Sequence, residues 1–140
     1  MDDAFIGLRC TGVQKYAPDS WRFDFEGRTY LDVHCAWRII ADERVALGHE
    51  DHEQQFGLPA PVDGQAEALK LLSKQVERVT IREITADLVL MFDNQVFLEV
   101  FNDSSGYEGW QCSDTRGLKV VAQGGGNLVY WLRNQPNNQA

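Results

Sequence analysis

The chain has 140 residues, 44% of them hydrophobic and 11% aromatic, enough for one domain with a sizeable core and too apolar for wholesale disorder. Its formal net charge is −8, a field that repels phosphate backbones, argues against nucleic acid and steers basic partners. No apolar run approaches the ~20 residues that span a bilayer, and the start Met1-Asp2-Asp3 is acidic where a secretory signal is basic, so the expectation is a cytoplasmic protein that engages no membrane.

Residues 5–13 read as a first strand. Trp21, Phe23 and Phe25 then alternate with Arg22, Asp24 and Glu26, the period of a half-buried strand. Glu26-Gly27-Arg28 supplies a turn. Alternation resumes with Leu31, Val33, Cys35, Trp37 and Ile39 on one face and Asp32, His34 and Arg38 on the other. The two runs are expected to pair antiparallel, and residues 44–47 to return after Asp42-Glu43.

Residues 48–64 change character, with Gly57, Pro59, Pro61 and Gly64 among charged residues. A surface loop of that length is unusual in a compact domain and is often functional. A helix follows, capped by Asp63, with Ala66, Leu69, Leu72 and Val76 as its stripe and Lys70 and Lys74 toward its C-terminal half.

Strand pattern returns at Val79 and Ile81, slips near Arg82-Glu83, where a bulge would fit, and resumes at Ile84. Residues 88–92 are apolar on both faces, as in a covered strand. Asp93-Asn94 closes a hairpin, since both residue types tolerate positive φ, and residues 95–101 pair back. Residues 110–112, 119–123 and 128–132 read as further strands, with Gly117 and Gly124-Gly125-Gly126 in the breaks. The Asn- and Gln-rich residues 133–140 are expected to fray. Residues 1–132 are therefore read as one α+β domain: a curved antiparallel sheet, meander or partly closed barrel, with one main helix.

The motifs exclude more than they assign. His49-Glu50-Asp51-His52-Glu53 has its histidines three apart, where a zinc-protease helix needs four. The Pro and Gly nearby make it a loop. The loop offers His49, Asp51 and His52 to a divalent cation as the alternative, and a solvated acidic loop is the simpler reading, so no metal and no cofactor are assigned. Gly124-Gly125-Gly126 sits in no phosphate-loop pattern and reads as a tight turn. Ser104-Ser105-Gly106 lacks the G-x-S-x-G of a nucleophile elbow and reads as a turn bonded through its hydroxyls. His34 shares a strand face with Asp32 and Arg38, but no catalytic set follows from that. Cys10, Cys35 and Cys112 are odd in number and contain no C-x-x-C, which argues against a disulfide scaffold.

The run L-x-V-F-N-D-S-S-G-Y-E-G-W, followed by G-G-G-N-L-V-Y-W, resembles a family of small bacterial proteins of unknown function. Some of its relatives look similar to immunity proteins of polymorphic toxin systems. The resemblance is firmest over residues 98–131, with a looser match at D-H-x-x-x-F-G-x-P, residues 51–59. It implies no catalytic residue.

The expected function is a non-enzymatic protein-interaction domain, homodimeric or bound to a partner such as a basic toxin. The alternative is a small-molecule-binding domain or enzyme with a pocket between helix and sheet, where His34, Tyr107 and Glu108 would converge. The candidate binding residues are Tyr107, Glu108, Trp110, His34, Asp51 and His52. Tyr107 and Trp110 either pack over the sheet or form a contact patch.

Overall fold

The computed structural model describes residues 4–132; the expected fraying of 133–140 lies outside the described residues. Five strands precede the helix: β1 (Cys10–Ala17), β2 (Ser20–Phe25), β3 (Tyr30–Val33), β4 (Ala36–Ala41) and β5 (Arg44–Gly48). After α1 (Gly64–Leu71) come β6 (Val76–Ile81), β7 (Leu88–Phe92), β8 (Val96–Phe101), β9 (Trp110–Ser113), β10 (Leu118–Ala122) and β11 (Leu128–Leu132). They form two antiparallel sheets, ordered β1-β2-β3-β9-β10-β11 and β5-β4-β8-β7-β6, neither of them closed. Among the described residues one α-helix accompanies these strands, which is the α+β class expected, with two sheets where one curved sheet was anticipated.

Three hairpins turn by the same device. Glu26–Arg28, Asp93–Gln95 and Gly124–Gly126 are three-residue turns whose second and third residues both have positive φ, the central one being Gly27 at 71°, Asn94 at 64° and Gly125 at 85°. Gly and Asn are the residues that reach that region at least cost. They hold β2 on β3, β7 on β8 and β10 on β11 in register.

The run from Leu31 to Ile39 is not one strand of one sheet. The chain leaves the first sheet after Val33 and enters the second at Ala36. The return path does the same beside it, since β9 pairs with β3 and β8 with β4. Leu31, Val33, Trp37 and Ile39 are all buried, so the period of two survives the bend: an inward face stays inward when a strand switches sheets at a corner. Only Cys35, at the bend, is half-buried.

The two inner faces meet in one aromatic-rich core. Trp21 at one end of β2 packs edge-on against Trp37 of β4, at 4.9 Å between centroids. Phe25 at the other end stacks on Phe92 of β7 at 6.4 Å. Strand β2 therefore crosses the strands of the facing sheet rather than running along them. On the outer face Asp32, only 3% exposed, takes a bidentate pair from Arg22 at 2.8 and 2.9 Å, and the guanidinium lies over Tyr30.

Helix α1 is shorter than its apolar stripe suggested. Asp63 caps it by accepting from Ala66 N at 3.1 Å, and it ends at the C-cap Leu72, whose carbonyl bonds Cys10 N. Val76 does not extend the stripe; it opens β6, opposite Phe92 and bonded to Leu8 and Gly7. Tertiary pairing overrides helix propensity there. The same pairing holds residues 6–9 outside β1, so the first strand begins at Cys10 and runs to Ala17. Lys15 N, on β1, is bonded by the Gln65 side chain at 2.9 Å, which seats the helix against that strand.

Candidate binding cleft

The corner where the chain changes sheets opens into a cleft of ≈ 1090 Å³. Five segments build it. Lys15, Pro18 and Asp19 come from the end of β1 and the turn into β2, and Trp21 from β2. His34, Cys35 and Ala36 come from the crossing between β3 and β4. His49, Glu50, His52 and Gln54 come from the loop after β5, and Asp103, Ser104, Gly106, Tyr107, Glu108 and Gly109 from the loop between β8 and β9. No residue of α1 lines it, so it does not lie between helix and sheet.

Four of the six candidate residues, His34, His52, Tyr107 and Glu108, meet on this cleft. Two do not. Asp51 turns back on its own loop, its carboxylate accepting from Gly48 N at 2.8 Å. Trp110 is fully buried, with its indole N–H donating to Ala86 O at 2.8 Å; it locks the sheets together and has no surface to offer a partner.

The loop after β5 is held by its polar side chains. His52 Nδ1 accepts from Gly64 N at 2.9 Å, tying the loop to the first turn of α1, and its ring stands edge-on to Trp21. A Cβ on Gly64 would lie 3.0 Å from His52 Cβ, so a larger residue there would crowd this junction and push His52 back. His49 bonds Trp37 O through both its backbone N and its ring. His49, Asp51 and His52 are thus each committed to a different backbone group. No group of three or more His, Cys, Asp or Glu able to hold a metal is found among the described residues.

The loop between β8 and β9 is shaped by Ser104, whose Oγ accepts from Gly106 N at 3.1 Å and Tyr107 N at 2.9 Å. That turn leaves Tyr107 84% exposed. Its base is fixed by Asn102, which sequence reasoning missed. Asn102 Nδ2 donates to Thr85 O at 2.9 Å and to Gln123 O at 3.0 Å, and Asn102 N to the Asp87 carboxylate. An Asn leaving a strand into a polar loop was the available signal, but its partners lie in two remote loops. The triple glycine is explained in the same place. Gly125 N bonds Ser104 O at 2.8 Å, and a Cβ on Gly124 would overlap the Gly106 backbone. Beyond forming the tight turn, these glycines let one loop's backbone lie against another's.

Ser20 is a second residue the sequence did not single out. Its Oγ lies 2.9 Å from His34 Nδ1, within reach for proton transfer. Asp32, the carboxylate nearest in sequence, is held by Arg22 instead, and Ser104 is spent on its own turn. Among the described residues no carboxylate is found bonded to His34, so the Ser20–His34 pair is not completed to a Ser-His-Asp set. Four carboxylates, Asp19, Glu50, Asp103 and Glu108, face one ammonium, Lys15, around the cleft, a formal −3 with the histidines neutral. All three histidines of the chain are there as well.

Cys35 lines the cleft as a protonated thiol rather than a thiolate. Burial pushes its thiol up to about 12, with Asp103 and Asp87 adding to the rise. Burial also lifts Cys10 and Cys112 to about 12. Native protein is expected to resist iodoacetamide at pH 8 on all three cysteines and to react with it once unfolded, because the thiolate is the attacking form. The linkage has a definite sign. The folded thiols hold protons that unfolded ones, at 9.0, release, so stability is full below pH 9 and falls as pH rises toward 12. Rapid labelling of Cys35 in folded protein would contradict this.

The fold and site together define a small two-sheet protein with an acidic cleft at its sheet-switching corner. A family described as a family of unknown function, DUF6188, matches residues 19–132, and the chain belongs to that family. No curated protein and no solved structure matches the chain. No helix among the described residues is long and apolar enough to cross a membrane.

Proposed function

We propose that this protein is a non-enzymatic interaction module whose cleft receives a basic segment of a protein partner. The observation that carries the reading is the convergence of Asp19, Glu50, Asp103 and Glu108 with the exposed Tyr107 on one cleft. Carboxylates steer and hold cations, and an aromatic rim supplies contact area at low entropic cost. The cleft, ≈ 1090 Å³ and open to solvent, has room for a chain segment as well as for a small molecule, and it is the carboxylates with the exposed aromatic rim that favour the segment. Neutralising a basic toxin is one form of this reading, supported by the net charge of −8; a toxin gene beside this one would favour it. A small-molecule occupant is the alternative, supported by His34, Tyr107 and Glu108 lining the same cleft.

The test is binding to short Lys- and Arg-containing peptides, with Glu-containing peptides as control. Wild type is expected to hold the basic set, more weakly as salt rises. Asp19→Asn combined with Glu50→Gln should weaken that binding about tenfold, roughly 1.4 kcal/mol, with an unchanged melting temperature. Equal retention by wild type and double variant would refute the basic-segment reading. Saturation by free arginine amide as tightly as by peptide would transfer the site to a small molecule.

A further inference from the structure

Ile84 is 88% exposed, in the loop between β6 and β7. It does not resume a strand there. Its φ is 75°, and Thr85 N donates across it to Glu83 O at 2.9 Å. That makes Ile84 the centre of a γ-turn of positive φ, the rarer and more strained of the two kinds. A β-branched side chain is the least suited to that region. Asn or Gly would relieve the backbone and remove an apolar group from water. Of the non-glycine residues with positive φ among those described, Ile84 is the β-branched one, and such strain kept at an exposed position is what directs attention to another molecule.

Its surroundings are rigid. The Gly126 α-carbon lies so close to the Ile84 carbonyl that a Cβ would overlap it, and Gly124 is also too close to the Gly106 backbone to carry one. Asn102 bridges Thr85 O and Gln123 O. Three loops are thus joined as one unit. Ile84 stands on one side of the triple-glycine turn and the loop bearing Tyr107, 84% exposed, on the other. The turn between them carries no side chain.

We propose that Ile84 and Tyr107 are the two apolar anchors of a protein-docking face, continuous with the cleft through Tyr107. The occupant is a segment of a different protein that presents apolar side chains flanked by Lys and Arg. This extends the basic-partner reading and rests on it. The charge pattern selects the occupant. Glu83, Asp103 and Glu108 are exposed around the anchors, while Arg82 lies 4.0 Å from Asp87. A two-fold dimer through this face would set those carboxylates against their own copies, in a chain already at −8. Loops fixed before binding lower the ordering cost and suit apolar hot spots.

The experiment compares short basic peptides carrying two leucines with the same peptides carrying serines. Wild type is expected to bind the leucine set at least about tenfold more tightly. Ile84→Asn should erase that preference while keeping wild-type affinity for the serine set and an equal or higher melting temperature. A retained preference, or a lowered melting temperature, would overturn the role given to Ile84. If instead Asp19→Asn with Glu50→Gln holds the serine set as wild type does, the cleft reading fails, and that failure is separate from the first. A wild-type dimer in sedimentation that Ile84→Asn abolishes would overturn the choice of a different protein and make the face a self-interface.

Discussion

Replacing Trp110 with alanine is expected to destabilise the fold by about 4 kcal/mol, the range for emptying a buried aromatic site. Trp110 is fully buried and its indole N–H satisfies Ala86 O, so the substitution leaves both a void and an unpaired carbonyl. Against a total stability of roughly 5–15 kcal/mol, this is a shift of about 15 °C in melting temperature for a chain of this size. Tyr107→Ala, three residues away, is expected to stay within about 0.5 kcal/mol of wild type, since Tyr107 is 84% exposed, yet to lose affinity for basic peptides. Trp110→Phe separates the two parts of the effect. It keeps most of the packing and should cost about 1–2 kcal/mol for the lost hydrogen bond. Urea unfolding of the three variants reads all of this. A mild Trp110→Ala, or a Tyr107→Ala that unfolds the protein, would reverse the division between scaffold and contact residue.

That division was only half legible in the sequence. The strands were legible because period-two alternation reports an inward face, and the turns because Gly27, Asn94 and Gly125 supply the positive φ they need. The corner between β3 and β4 was not, since a strand that bends between sheets keeps its alternation. Leu31 and Ile39 are equally buried in different sheets. The cleft inherits that blindness. Trp21, His34, His52 and Tyr107 come together only through the sheet switch, and no local spacing encodes it. Tyr107 and Trp110 read alike as aromatic and near a turn. What separates them is that Trp110 opens β9 opposite Val33 and Ala122, inside the core, while Ser104 turns Tyr107 outward. Ile84 was misread for the opposite reason. Its residue type says strand, but its backbone is in a region that isoleucine avoids, so propensity and structure disagree where a partner is proposed to bind.

Gly126→Ala is expected to cost about 3 kcal/mol or more, and to do so without touching any apolar contact. Two penalties add. Gly126 has φ of 106°, where an L side chain costs roughly 1–2 kcal/mol. The new methyl would also run into the Ile84 carbonyl, and overpacking against atoms that cannot move aside costs roughly 1–3 kcal/mol. The obstructing group is backbone in a γ-turn, with no rotamer to change. Gly125→Ala is the internal control. It too has positive φ, 85°, but the nearest atom to its Cβ is Ser105 O at 3.8 Å, ordinary contact. It should therefore cost only about 1 kcal/mol, from backbone conformation alone. Calorimetry on the pair gives an expected gap of about 5–10 °C. Because Asn102 ties the same loops together, Gly126→Ala should also raise amide exchange at Thr85 and Tyr107, while Gly125→Ala leaves it unchanged. Equal losses in the two variants would mean that φ, and not the close approach of loops, is what the third glycine serves, and the rigid platform beneath Ile84 and Tyr107 would lose its physical basis.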